Sequence, residues 1–181
     1  MRRKSRLNFN TAFCGIMSAL AVVIMFVSFV PALAYTMPAV AGLVLYTIRV
    51  HISRSWALLA YVATSALTII LVPEPEAQLL FVMLLGYYPL LREDLGRLPK
   101  LLRRGIKLAL FNAVAVVFYR ITTYMLGITD SLSGLEGFGD YAVYVFWLSA
   151  NVTFVVYDNA LGVLTKAYVK LLKPRIDRLN T

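Results

Sequence analysis

The sequence predicts an all-α fold: an integral membrane bundle of six transmembrane helices, a single domain over residues 1–181, with both termini in the cytoplasm. Composition is the first observation behind it, since 60% of the 181 residues are hydrophobic and 15% are charged, against about 25% charged in a soluble domain. The second is the gathering of the apolar residues into runs near the roughly 20 that carry a helix across a bilayer. The third is the placing of Lys and Arg, which fall in alternate gaps between those runs and so on one side of a membrane.

In chain order, MRRKSRLNFN is a basic head, and Thr11 to Val30 is an apolar run that Pro31 ends, giving a first span over 11–30. A cleaved signal peptide is the rival reading, because Ala32-Leu33-Ala34 resembles a small-residue cleavage site. The apolar run is longer than a signal's core, however, and more spans follow. Pro38 cannot continue a helix smoothly from Tyr35 and Thr36, so an irregular connection precedes a short second span, 38–48. Arg49, His51 and Arg54 close it, with His51 expected as a solvated interfacial side chain. The third span is 56–72. VPEPEA (72–77) reads as a turn, and a short fourth span, 77–91, ends in Tyr87, Tyr88 and Pro89. Leu91 to Lys107 carries six basic residues (Arg92, Arg97, Lys100, Arg103, Arg104, Lys107) among leucines. That pattern predicts an amphipathic connection lying on the membrane surface and holding anionic lipid heads, with contact to a cytoplasmic partner as the alternative. The fifth span is 108–127, and the Gly-rich, acidic ITDSLSGLEGFGD (128–140) leads into the sixth, 141–166.

Charge sets the orientation. With both ends inside, 17 of the 18 Lys and Arg residues are cytoplasmic: four at the head, two after the second span, six after the fourth and five at the tail. Arg120 is the exception. The outer loops hold Glu74, Glu76, Asp130, Glu136 and Asp140 and no Lys or Arg. This arrangement satisfies the positive-inside rule, so the net charge of +9 is mostly a topology signal rather than a nucleic-acid footprint. One cysteine, Cys14, excludes an internal disulfide and a multi-cysteine metal site. The single histidine, the absence of a matched acid pair or Ser–base set, and the absence of a GxxxxGK loop argue against an enzyme, a metal centre or a bound nucleotide cofactor.

Two groups of residues stand out. Thr11, Gly15 and Ala19 recur every four residues on the first helix with Ser18 beside them, a small-residue stripe that admits another helix closely; packing inside the bundle is the plainer alternative. Spans five and six carry Asn112, Arg120, Asn151 and Asp158. Asn151 and Asp158 stand seven apart, on one helix face that Tyr144 continues, while Thr123 and Tyr124 follow Arg120. A charge at such depth is costly without water, a partner or a ligand. Arg120 lies roughly 18 Å from the inner end of its span, and Asp158 sits deeper. A direct pair between them is therefore not favoured.

Six short spans, the stripe on the first helix, the irregular connection before Pro38, GYYPLLR after the fourth span and NVTFVVYDNAL in the sixth resemble the substrate-binding (S) components of energy-coupling factor transporters, in a form found in Firmicutes. The resemblance implies a micronutrient captured from outside in a pocket at the outer ends of the later helices, here Arg120, Asn151, Tyr144, Tyr124, Asp158 and Asn112. It further implies docking through the first helices onto a transmembrane coupling subunit driven by two cytoplasmic ATPases. The family's docking motif is Ala-xxx-Ala; Gly15 and Ala19 occupy that spacing, with Ser18 and Thr11 alongside. A small non-catalytic membrane scaffold is the alternative. The topology is testable directly. In a Cys14-free background, cysteines placed at Ser133 and Lys100 are expected to react with a membrane-impermeant reagent from opposite faces of the membrane, and labelling from one face defeats the six-span order.

Overall fold

Helix is the only regular structure among the described residues, 2–124 and 141–171, of this computed structural model. The chain divides into two units, Met1–Arg97 with Thr165–Thr181, and Leu98–Leu164. The first unit begins with α1 (Arg2–Phe26), which gives way to two 3-10 turns, Val27–Phe29 and Pro31–Leu33. Pro31 brings no N–H and holds Val30 extended at ψ 116°, which is why the helix cannot run on. α2 (Met37–His51) then starts with Pro38 in its first turn, where the missing N–H costs nothing. α3 (Arg54–Leu71) is capped by Ser53, whose Oγ accepts from the Trp56 N–H at 3.5 Å. Leu7–Phe29 and Arg54–Leu71 are long and apolar enough to cross a membrane, and α2 is apolar but shorter.

These three helices meet through small residues. Ala21 of α1, Ala41 and Gly42 of α2, and Ala57 and Ala60 of α3 are all buried, with Met25, Leu45 and Ile48 filling between them. Small side chains let helix backbones approach, which is the main source of attraction where lipid replaces water.

The fourth predicted span, 77–91, is one helix in the sequence reading and three pieces in the structure: α4 (Pro75–Leu80), a π-turn (Phe81–Leu85) and α5 (Tyr88–Leu95). Pro89 causes the break, since it cannot donate to the Leu85 carbonyl and its ring would crowd it. The Gly86 N–H instead donates five residues back to Phe81 O at 2.8 Å. That shift leaves the Val82 carbonyl unclaimed, and the Tyr61 hydroxyl of α3 donates to it at 2.5 Å. A Cβ on Gly42 would collide with the Leu85 carbonyl, so α2 runs in backbone contact with this turn. At the other end of the unit, the Tyr35 hydroxyl ties the irregular connection to Glu76 (2.8 Å).

His51, expected from sequence as a solvated interfacial side chain, is half-buried instead, as is Arg49 beside it in the last turn of α2. Arg49 donates to both Asp94 oxygens (2.7 and 3.0 Å) and to the Leu90 carbonyl (2.5 Å), and its Nε meets Glu93 at 2.7 Å. The His51 Nε2 lies 2.8 Å from the Tyr168 hydroxyl, with Phe13 edge-on to the ring. The connection expected over 91–107 is helical at both of its ends. α5 continues to Leu95, and 100–107 are the opening turns of α6 (Lys100–Tyr124). Leu101 and Arg104 there are exposed, as an interfacial helix requires, but Lys107 is buried. In the second unit α6 is followed by α7 (Ala142–Leu171), whose last turns, from Thr165, belong to the first unit. Their 25 and 30 residues reach about 37 and 45 Å. The predicted acidic loop 128–140 and the basic tail beyond Leu171 lie outside the described residues.

The Asp94 contacts set an acid limit on the first unit. Hydrogen bonds from Arg49, then its charge and those of Arg54 and Arg97, hold the Asp94 carboxyl below its usual range, against the opposing effect of burial. Because the folded value is lowered, the stabilisation is complete above the unfolded value near about 4 and is lost as pH falls from there through the folded value. Thermal unfolding in detergent between about pH 6 and about pH 3 is expected to show a steeper acid loss for the wild type than for Asp94→Asn, which starts less stable at the upper end. Parallel curves overturn the assignment.

Candidate functional site

Four polar residues of α6 and α7 come together in two pairs. Lys107 Nζ lies 2.7 Å from both Asp158 oxygens, with only 8% and 19% of the two side chains exposed. Asn112 and Asn151 exchange amide hydrogen bonds of 2.9 and 3.2 Å, and each gives its remaining N–H to the carbonyl one turn back, Leu108 and Trp147. All four amide N–H groups are therefore used inside the hairpin. Phe111 stacks on Phe154 at 4.4 Å and Tyr119 tilts against Phe146 at 6.4 Å. As residue numbers rise along α6 their partners' numbers fall along α7, so the two helices run antiparallel in one register.

This register sorts the residues singled out from sequence. Asn151 and Asp158 do share a face of α7, as their spacing requires, and α6 supplies a partner to each. The partner of Asp158 is Lys107, not Arg120. A Lys in a run of basic residues gives no sequence sign of its burial. Arg120 lies farther along α6, exposed, with its guanidinium carbon 5.5 Å from the centre of the Tyr124 ring, a cation–π distance. Tyr124 and Tyr144 are each 72% exposed. Arg120, Tyr124 and Tyr144 thus remain open at the far end of the hairpin, while Asn112, Asn151 and Asp158 are already satisfied.

The stripe on α1 splits in the same informative way. Thr11, Gly15 and Ala19 are exposed, and a Cβ on Gly15 would meet nothing within 4 Å. Thr11 turns its hydroxyl back to Leu7 O at 3.0 Å, which leaves no polar group projecting. Ser18 faces the other way, buried beside Cys14 and Ala21; it belongs to the core of the first unit rather than to the stripe. Among the described residues no group of three or more His, Cys, Asp or Glu side chains forms a metal site.

The Lys107–Asp158 pair has a measurable signature. Removing one partner strands the other charge, so Lys107→Leu or Asp158→Leu is expected to cost about 3 kcal/mol in detergent unfolding, whereas the double change restores most of it. Additive losses contradict the pairing. No protein-family model, curated protein or solved structure matches this chain.

Proposed function

We propose that this chain is a six-span membrane protein with both termini cytoplasmic, acting as the substrate-binding component of an energy-coupling factor importer. In this reading it takes a micronutrient from outside and docks on a transmembrane coupling subunit driven by two cytoplasmic ATPases. The chain itself is not an enzyme. One observation carries the reading: Thr11, Gly15 and Ala19 are exposed together on α1, with open space over Gly15. A lipid-facing position gains from a large apolar side chain, as Ile16 and Val23 supply on the same helix; small residues there instead suit a close helix partner. At the outer end, Arg120 with Tyr124 and Tyr144 supplies a cation and aromatic faces for an anionic nutrient.

A second reading, a non-catalytic membrane scaffold, draws on the closed Asn112–Asn151 and Lys107–Asp158 pairs, which consume polar groups a ligand would otherwise use. Copurification separates the two. Tagged wild type is expected to bring down a coupling subunit with its ATPases, and Ala19→Leu, at an exposed position, is expected to lose them while keeping its own unfolding temperature. Unchanged complex formation by Ala19→Leu removes the docking stripe and with it the support for the importer reading.

A further inference from the structure

The first unit carries a cleft of about 70 Å³ between α3 and α5, lined by Arg54, Leu58, Tyr87, Leu90, Leu91 and Asp94. Its volume is about half of one that holds a benzene ring, so it accommodates a few carbon atoms of something larger rather than a whole small molecule. Four of its six lining residues are apolar or aromatic, and its two charged residues do not contribute equally. Both Asp94 oxygens are taken by Arg49. Arg54, with 58% of its side chain exposed, reaches Asp94 through Nε at 3.4 Å, and among the described residues no acceptor takes its terminal nitrogens. Residues 49–54 and 92–97 together hold four arginines against Glu93 and Asp94, a local net charge of +2. From Leu58 an exposed apolar track continues along α3 through Val62 to Ile69. The shape is that of an amphiphile: a cationic mouth, a shallow apolar seat and a lipid-facing rail.

We propose that this cleft binds one anionic glycerophospholipid, with its phosphate on Arg54 and the upper part of an acyl chain across Leu58, Leu90 and Leu91. The proposal rests on α3 spanning the membrane with Arg54 at one surface, and not on the importer role. A bound lipid there fastens the α3 end to α5, beside the Arg49 contacts that already hold α2 to α5.

The experiment uses the full-length protein purified in a neutral detergent, with phosphatidylglycerol, phosphatidylcholine and soluble glycerol 3-phosphate as probes, read by lipid retention in native mass spectrometry and by the unfolding temperature. Phosphatidylglycerol is expected to be retained as a single copy and to raise the unfolding temperature, with phosphatidylcholine binding at least tenfold more weakly. Arg54→Gln should weaken phosphatidylglycerol binding roughly tenfold, the loss of one charge-assisted contact. Leu58→Trp, which fills the seat and leaves the arginine, should also lower retention. Lys100→Gln with Arg104→Gln, on the exposed basic turns of α6, should not. Equal binding of the two lipids would hand the cleft to a protein side chain and overturn the proposal. So would full stabilisation by glycerol 3-phosphate, which marks a soluble anion site, or equal losses from Arg54→Gln and the α6 pair, which mark diffuse surface attraction.

Discussion

The Arg49 guanidinium is the contact on which the first unit turns. It stands in the last turn of α2, where a cation is favoured by the helix dipole, and it satisfies Asp94, Glu93 and the Leu90 carbonyl at once. α5 needs this, because its final turns carry two carboxylates where its own dipole disfavours them. Seven residues earlier on the same face of α2, Gly42 meets the Leu85 carbonyl. Two full turns of one helix, about 10 Å long, therefore fix the π-turn at one end and α5 at the other. An Arg suits this position better than a Lys, since three acceptors in different directions need a planar fork of donors.

The same contacts explain what sequence reasoning reached and what it missed. Pro31 and Pro38 act locally, and the helix ends around them lie within a few residues of where the prolines put them. Pro89 also acts locally, but its consequence does not. The freed Val82 carbonyl is tolerated because Tyr61, on another helix, donates to it and packs its ring near Phe81 and Tyr87. Nothing in 77–91 alone encodes that support, so the segment reads as one short helix. Glu93 and Asp94, two acids inside an otherwise basic stretch, were the available sign that Arg49 has a partner.

In the second unit the pattern was half legible. The seven-residue spacing of Asn151 and Asp158 defines a polar face of α7 from sequence, but it cannot say which residues of α6 oppose it. Lys107 belongs by composition to a surface run and by register to the interior, and only the antiparallel pairing of α6 with α7 decides between them. Large side chains do the work here that small ones do among α1, α2 and α3. The Phe111–Phe154 stack lies between the ion pair and the amide pair, shielding both from competing water and so strengthening them.

That division of labour narrows where ligand chemistry can take place. An Asn pair that uses all four amide N–H groups, and a carboxylate held at 2.7 Å by an ammonium, can greet a ligand only by giving up bonds already made, at a cost comparable to those the ligand would bring. Arg120 owes no such debt. Its contact among the described residues is a cation–π approach to the Tyr124 ring, 5.5 Å from the guanidinium carbon to the ring centre, and no acceptor among the described residues claims its N–H groups. Tyr124 therefore stands beside the cation while its hydrogen-bond donors are left for another acceptor. On the proposed reading this makes Arg120, rather than the more deeply set Asn151 or Asp158, the group through which an anionic substrate is first recognised.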